Sequence, residues 1–282
     1  MRRLYVSPEL IKMHTDAVKA RINKSYDKSK TINYIKSLGV GTIEEFLTAD
    51  VDTLKRWVRE CPEKLNFSQF KNMYQRFFSN GADKFVDKDY NAYKFLKELD
   101  VTVCPYCDDE YLDIVKINDK QKRTSEIDHF FPKSRFPALA MCIYNLVPSG
   151  QNCNGLKLEF ELGTDPYESD IESLSFLYPD LDVGVLLDNL SPNECKVLFH
   201  PKDGMEKNVS LLALEQRYER HAPEAYRLLR NRQLYSEEKI NEIVKLTGQS
   251  KEDIISSLFG PQDIKIKKNE LRQKMLKDLT GY

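Results

Sequence analysis

The stretch that decides the fold of this 282-residue chain runs from residue 104 to residue 157. It opens with CPYC at residues 104–107 and passes through EIDH at residues 126–129. It closes with NLVP at residues 145–148 and CNGLK at residues 153–157. These segments gather thiol, imidazole, carboxyl and amide side chains, which are the groups that bind metals and move protons. The chemistry of the chain is therefore expected here.

Short strands are predicted around these segments. The β-branched run at residues 101–103 leads into the CxxC turn, and apolar and polar residues alternate over residues 111–117. The charged residues 118–123 indicate a hairpin turn before a strand that carries Asp128 and His129. Because neighbours on a strand point to opposite faces, these two side chains can serve different atoms of one reaction.

Cys104 and Cys107 have the spacing of a zinc knuckle, in which a tight turn directs both sulfurs to one point. A redox pair or two buried thiols are the alternative interpretations. The knuckle alone is thus a weak signal, and the order of all the segments carries more weight.

In that order, the CxxC knuckle, the Asp-His pair, Asn145 and the Cys-Asn-x-x-Lys segment resemble the HNH endonuclease superfamily. That resemblance implies a ββα-metal fold, with two strands and a helix around one divalent ion. Over residues 126–157 the chain is more closely similar to bacterial HNH proteins of phage-defence systems, including the nuclease subunits of Septu-type and retron-associated systems. Those subunits work beside an ATPase partner, so the resemblance implies such a partner here.

The resemblance also implies a role for each matching residue. His129 would be the general base, and Asn145 would orient the loop that carries it. Asp128 and Asn154 would bind the catalytic ion, and Lys157 would lie near phosphate.

The residues themselves support this chemistry. Hydrolysis of an anionic phosphodiester needs an activated water, a cation on the scissile oxygens and help for the leaving group. The pKa of an unperturbed histidine lies near neutral pH, so His129 can take a proton from water. Asp128 and the carbonyl of Asn154 offer oxygen ligands, which favour Mg²⁺ or Mn²⁺ over zinc at this site.

One position departs from the family pattern. The knuckle usually pairs with a second CxxC, of which Cys153 would be the later member, but the residue three positions earlier is Gly150. Structural zinc takes four protein ligands. Cys142 can supply the fourth sulfur, the site can hold only Cys104, Cys107 and Cys153, or zinc can be absent.

Composition sets limits on the mode of binding. The formal net charge is −1, so nucleic acid would have to bind through a local patch, a metal or a partner. No apolar run resembles a signal peptide or a membrane span, so we expect a cytoplasmic protein without membrane contact. Its six cysteines are then expected to be thiols or metal ligands.

We predict an α+β protein with a helical region at residues 1–99, the HNH module at 100–163 and a mostly helical region at 164–282. Ser7 and the Thr42-x-x-Glu45 capping box mark helix starts, and residues 158–162 can continue the motif helix. The aromatic residues of segment 66–78 are interpreted as core, with a base-stacking platform as the alternative.

Basic side chains offer candidate phosphate contacts outside the catalytic set. Lys133 and Arg135 follow the Asp-His pair closely, although exposed basic residues are usually only solvated. Arginines concentrate at residues 217–232, where pairing with nearby glutamates at helical spacing is the alternative, and residues 265–277 are rich in lysine.

The sequence therefore predicts a metal-dependent endonuclease acting on DNA, with Mg²⁺ or Mn²⁺ as the catalytic ion and Zn²⁺ as a structural one. The alternatives are an RNA-cutting or nicking enzyme and a silent binding subunit. A third possibility is a nuclease that stays inactive until its ATPase partner assembles with it. The oligomeric state is not predicted.

Overall fold

The computed structural model describes residues 1–79, 90–168, 171–180, 191–192, 195–263 and 268–282. Within these ranges the chain is mostly helical and has three antiparallel sheets of two strands each, so the fold belongs to the predicted α+β class. The α-helices are α1 Pro8–Ser25, α2 Lys28–Ser37, α3 Ile43–Leu47, α4 Val51–Glu60, α5 Gln69–Met73, α6 Ala92–Leu99, α7 Gln151–Lys157, α8 Met205–Leu211, α9 Leu214–Tyr218, α10 Ala222–Leu234, α11 Glu237–Thr247, α12 Lys251–Phe259 and α13 Gln273–Thr280. The strands are β1 Ile114–Ile117, β2 Lys120–Arg123, β3 Glu126–His129, β4 Leu146–Ser149, β5 Ser175–Pro179 and β6 Val197–Pro201.

Shorter helical turns join these elements. Single 3₁₀ turns occupy Pro62–Leu65, Pro137–Met141, Ile143–Asn145 and Glu219–His221, and a π-helical turn, Tyr74–Phe78, follows α5.

Helices in the N-terminal region begin where the local signals predict. The Ser7 hydroxyl accepts a hydrogen bond from the backbone N–H of Leu10 at 3.1 Å. At α3 the Thr42 hydroxyl accepts from the N–H of Glu45 at 3.1 Å, and the Glu45 carboxylate accepts from the N–H of Thr42 at 3.2 Å. Both ends satisfy backbone donors that would otherwise lack partners, which confirms the N-cap and the capping box.

The aromatic segment at residues 66–78 contributes to the core. Phe70, Tyr74 and Phe78 are buried. The ring of Tyr74 lies edge-on to the imidazole of His129, with 4.4 Å between ring centroids. The core interpretation is thus confirmed for these three rings, and one of them packs against the histidine of the Asp-His pair.

The predicted hairpin is present, but its turn is tighter than expected. The turn consists of Asn118 and Asp119, whose φ angles of 47° and 60° are typical of a two-residue type I′ turn. Residues 120–123 form the returning strand β2, with Lys120 opposite Ile117. All four residues of β1 are exposed, so the hairpin has no buried face on that strand.

Two further strands and a helix surround the Asp-His pair. β3 and β4 run antiparallel, with Glu126 opposite Ser149 and His129 opposite Leu146. Helix α7 begins two residues after β4. This order of strand, strand and helix places three of the four sequence segments side by side.

Two predictions about neighbouring backbone are wrong. Val103 makes only an isolated bridge to Tyr111. Backbone hydrogen bonds of 2.8 Å from Leu112 N–H to the Thr102 carbonyl and from Cys104 N–H to the Glu110 carbonyl flank it, and the chain then enters the knuckle, so the pairing is too short for a strand. Helix α7 does not continue over residues 158–162. Leu158 ends it with φ 48° and ψ −119°, a conformation that cannot extend an α-helix.

The hydrophobic core crosses all three predicted regions of the chain. Fully buried side chains come from the first region, the motif region and the last region, for example Ile22, Tyr106 and Phe259. The motif region therefore shares its core with helices that precede and follow it in sequence.

Candidate active site and metal cluster

Asp128 lies beneath the surface at the centre of the predicted site, with only 5% of the residue exposed. The Tyr106 hydroxyl donates a hydrogen bond to its Oδ2 atom at 2.7 Å. The Lys157 ammonium lies 3.1 Å from both carboxylate oxygens and donates to the carbonyl of His129 at 2.8 Å. The fully buried Lys157 therefore joins α7 to β3 and balances the charge of Asp128.

The carboxylate of Asp128 keeps some capacity for a cation. A carboxylate has about four acceptor positions, and Tyr106 and Lys157 occupy three of them. Asn154, which is half-buried, lines the same cleft as Asp128. Carboxylate and amide oxygens fit the ligand preference of Mg²⁺ or Mn²⁺, so the donor types here suit the predicted ion.

His129 is almost completely buried, and its two ring nitrogens have different surroundings. The Nε2 atom lies 3.1 Å from the carbonyl oxygen of Ala140. A carbonyl only accepts hydrogen bonds, so Nε2 carries the proton and Nδ1 has the free lone pair. Nδ1 is buried and has no hydrogen-bond partner in the part of the chain that is described. Burial and the nearby charge of Lys133 hold the pKa of His129 well below its usual range, which keeps the ring neutral.

Asn145 connects the two segments that hold His129. Its Oδ1 atom accepts from the backbone N–H of Phe131 at 2.7 Å, and its Nδ2 atom donates to the carbonyls of Phe131 and Leu139 at 3.2 and 3.0 Å. Phe131 follows His129 by two residues, and Leu139 precedes the Ala140 acceptor. The fully buried amide thus fixes both the backbone beside the imidazole and the carbonyl that orients it.

A cleft of about 480 Å³ opens over these residues. Asp128, His129 and Asn154 line it. Its other walls include the basic side chains Lys71, Arg123 and Lys133 and the acidic side chains Glu126 and Glu159. The cleft therefore combines the predicted catalytic groups with three basic side chains, which are matched by three acidic ones when Asp128 is counted.

The three sequence-predicted basic contacts occupy different environments. Lys133 lies at the cleft, with its ammonium 5.4 Å from the centroid of the Tyr74 ring. Arg135 lies outside the lining of the cleft and pairs with Glu161. Lys157 faces Asp128 rather than solvent. Of the three, Lys133 is the one that lines the cleft.

A second cluster lies at the knuckle. The sulfurs of Cys104, Cys107 and Cys153 and a carboxylate oxygen of Glu110 all lie within 4.8 Å of one another. Cys142 is not a member; its thiol donates to the carbonyl of Phe46 at 3.4 Å. This cluster can hold a metal ion such as Zn²⁺, with a carboxylate where the sequence pattern leads one to expect a sulfur.

Glu110 is held in place by residues around the cluster. Its Oε1 atom accepts from the side chain and the backbone N–H of Asn152 at 2.5 and 3.3 Å. Its Oε2 atom lies 3.3 Å from the guanidinium of Arg217, which also donates to the sulfur of Cys153 at 3.2 Å. Arg217 thus brings a positive charge from α9 to the cluster.

The arginines at residues 217–232 have several different partners. Arg217 binds the cluster, and Arg220 pairs with Asp109 of the knuckle loop. The guanidinium of Arg232 stacks over the ring of Tyr282 at 5.2 Å. The partners of these three arginines are distant in sequence, so pairing with glutamates at helical spacing does not describe these three.

The lysine-rich tail is also engaged within the molecule. Lys268 pairs with Asp100, and Arg272 pairs with Asp109 and Glu224. Residues 264–267 of this tail lie outside the described residues. In the described part of the tail, Lys268 and Arg272 are thus bound to the end of α6, to the knuckle loop and to α10.

Sequence reasoning missed two contributors to these sites. Ala140 contributes only a backbone carbonyl, which no residue type reveals. Glu110 follows Cys107 by three residues. The sequence feature that could have pointed to it is Gly150, because a glycine in place of an expected ligand leaves room for a ligand from another segment.

Comparison with known proteins finds similarity over part of the chain. No family model and no solved structure matches the chain. Among curated proteins, the Septu protein PtuB of Bacillus thuringiensis is 32% identical over 96 residues, which make up 34% of this chain and 34% of that protein. The chain thus matches about a third of the length of this relative. The similarity relates part of the chain to a Septu protein.

Among the described helices, none is both long and apolar enough to span a membrane.

Proposed function

We propose that this chain is a metal-dependent endonuclease of the HNH type, which hydrolyses DNA phosphodiester bonds in antiphage defence. The observation that carries the proposal is the state of His129. Its Nε2 atom is bound to a carbonyl, its Nδ1 atom has no partner among the described residues, and the ring lines a cleft beside Asp128. A neutral imidazole with one free lone pair, in a cleft that also holds a carboxylate, can act as a general base for water.

In the proposed reaction, Nδ1 of His129 takes a proton from a water molecule as the water oxygen bonds to phosphorus. The bond from phosphorus to the leaving oxygen breaks, and that oxygen takes a proton from solvent. The hydrogen bond from Nε2 to Ala140 holds the ring in the required tautomer. Asn145 is a positioning residue, because its three hydrogen bonds fix the backbone on both sides of the imidazole.

Asp128 and Asn154 would hold a Mg²⁺ or Mn²⁺ ion, which supplies positive charge to the scissile phosphate. Lys157 already balances Asp128 in the protein. Its buried ammonium bonds both carboxylate oxygens and holds them at the rim of the cleft. We therefore assign Lys157 to the support of Asp128 rather than to direct contact with phosphate.

Lys71, Arg123 and Lys133 would attract the nucleic-acid backbone to the cleft, because phosphate contacts provide most of the sequence-independent affinity for DNA. The net charge of −1 gives the rest of the surface little attraction for DNA. An ATPase partner, as implied by the resemblance to Septu-type systems, would supply further affinity and control.

Incubation of the purified chain with supercoiled plasmid and Mg²⁺ or Mn²⁺ tests the proposal. The chain offers a matched control, since His200 is exposed and outside the cleft. We expect the wild type and His200→Ala to nick or linearise the plasmid. We expect chelator to stop the reaction and His129→Ala to slow it about 10²–10⁴-fold. Folded wild type that leaves DNA intact in both ions, alone and together with an ATPase partner, would contradict the proposal.

A further inference from the structure

The knuckle cluster differs from an ordinary four-cysteine site in one ligand. Three of its members are thiols from two separate segments, Cys104 and Cys107 before the hairpin and Cys153 on α7. The fourth is the carboxylate of Glu110, which lies on the knuckle itself. The four donor atoms all lie within 4.8 Å of one another. Two sulfurs bound to one tetrahedral zinc ion are about 3.8 Å apart, so the donors need to move by only about 1 Å to bind the same ion.

The position of Glu110 depends on Gly150. A Cβ atom at position 150 would lie 2.2 Å from the Oε2 atom of Glu110 and 2.5 Å from its carboxyl carbon. Such distances are far below van der Waals contact, so a side chain at position 150 and the present carboxylate cannot coexist. Position 150 is the place, three residues before Cys153, where the knuckle pattern would put a fourth cysteine. The Glu110 carboxylate therefore occupies the space that a cysteine side chain at position 150 would take.

The surroundings leave one carboxylate oxygen directed at the sulfurs. Asn152 binds Oε1 through two donors. Oε2 is the atom near the Cys107 thiol, at 3.7 Å, and near Arg217. Zinc accepts carboxylate oxygen together with cysteine sulfur, whereas Mg²⁺ and Ca²⁺ avoid thiolates. The donor set thus favours zinc over Mg²⁺ and Ca²⁺.

Charge balance explains the presence of Arg217. Three thiolates and one carboxylate carry four negative charges, which exceed the two positive charges of a zinc ion. The guanidinium of Arg217 contacts both Cys153 and Glu110 and reduces this excess. Partners in this outer position usually orient metal ligands and tune their affinity.

We propose that Cys104, Cys107, Cys153 and Glu110 bind one Zn²⁺ ion in a closed structural site, in which the Glu110 carboxylate replaces a fourth thiolate and Gly150 makes room for it. The proposal concerns the knuckle alone and holds whether or not the chain cuts DNA.

The test uses the full chain, with zinc measured by elemental analysis and affinity measured by competition with a chromogenic chelator. We expect one zinc per chain in the wild type. Glu110→Ala should weaken zinc binding on the order of tenfold or more, since even outer partners of a metal contribute that much. Gly150→Ala should weaken it as well, because the new Cβ displaces the carboxylate. Glu252→Ala, at an exposed glutamate on α12, serves as the matched control and should bind zinc normally.

The double variant E110A/G150C distinguishes a ligand from a merely structural neighbour. It should recover the affinity that Glu110→Ala loses, because it restores a fourth sulfur. After exchange of zinc for Co²⁺, its thiolate-to-metal charge-transfer absorption should exceed that of the wild type by about one third, the ratio of four sulfur ligands to three. Wild type without zinc, or a Glu110→Ala variant with unchanged affinity and unchanged Co²⁺ spectrum, would overturn the proposal.

Discussion

The position and the tautomer of His129 depend on a small number of atoms that do not belong to the proposed base or metal ligands. The carbonyl of Ala140 selects the tautomer, and the ring of Tyr74 covers one side of the imidazole. Asn145 holds the backbone segments on both sides. At the scale of single residues, we therefore expect the groups that position His129 to matter nearly as much as His129 itself.

Asn145→Ala removes three hydrogen bonds and leaves their backbone partners buried. We expect kcat for DNA cleavage to fall about a hundredfold with little change in KM, because a small displacement of the base spoils its alignment. We also expect the free energy of unfolding to fall by about 1–3 kcal/mol. Kinetics below the melting temperature, with folding checked by circular dichroism, separate the two effects. A loss of kcat that only follows the unfolded fraction would contradict a positioning role.

Lys157→Met removes the buried partner of Asp128 and leaves an uncompensated carboxylate. Breaking a buried pair in this way costs about 3–5 kcal/mol of stability. Because the proposed ion lies beside the same carboxylate, Mg²⁺ should raise the melting temperature of the variant more than that of the wild type. Thermal denaturation with and without Mg²⁺ measures this difference. Equal shifts in both proteins would argue against a cation site at Asp128.

At the scale of elements, the hairpin of β1 and β2 stands out because β1 buries none of its residues. An isolated pair of strands gains little stability by itself. This hairpin leads directly into β3, which carries Asp128 and His129, and Arg123 at its end lines the cleft. A basic ribbon beside the site is suited to contact the backbone of a bound duplex.

The double substitution Lys116→Glu and Lys122→Glu should therefore weaken DNA binding. It should also lower the slope of log affinity against log salt concentration, by roughly one unit for each phosphate that the protein no longer neutralises. Fluorescence anisotropy with a labelled duplex, in the His129→Ala background, measures binding without cleavage. Lys239→Glu with Lys245→Glu on the exposed face of α11 makes the same change in charge away from the cleft. Equal weakening by both pairs would show that only net charge matters.

At the scale of the whole molecule, the knuckle connects the two ends of the chain. The backbone N–H of Arg2 donates to the carbonyl of Pro105 at 2.9 Å, and that of Arg272 donates to the carbonyl of Asp108 at 2.6 Å. The Tyr218 hydroxyl donates to the carbonyl of Cys107 at 2.7 Å. The knuckle thus organises segments that are far apart in sequence.

Removal of zinc from the knuckle should loosen these segments together. With a chelator present, we expect faster hydrogen exchange in residues 1–6 and in α13, and a lower melting temperature. Helix α11 packs mainly against α12, so its exchange should change little. Hydrogen exchange followed by mass spectrometry checks this pattern. Uniform acceleration along the chain would indicate global destabilisation rather than a local role.

The sequence predicts features that depend on neighbouring residues. The caps at Ser7 and Thr42 and the presence of a hairpin turn within residues 118–123 follow from local chemistry, and the structure contains all three, although the turn itself takes only residues 118–119. The same holds for Asp128 and His129 on one strand. These predictions succeed because the determining atoms lie within a few residues of one another.

Features that depend on tertiary packing were not predictable in the same way. Glu110 becomes a cluster member only because Gly150, forty residues later in the sequence, leaves space beside it. The early end of α7 at Leu158 and the burial of Lys157 against Asp128 also depend on packing. A basic residue in a motif suggests phosphate contact, and only the fold shows that its ammonium faces a carboxylate.

The most direct test of the central claim is chemical rescue of the base. Cleavage of a labelled DNA duplex is measured with His129→Ala in Mg²⁺, with and without added imidazole. We expect a rate about 10²–10⁴-fold below the wild type, with part of the loss restored by imidazole that enters the space left by the side chain. A His129→Ala variant that cuts as fast as the wild type would contradict the assignment of His129 as the general base.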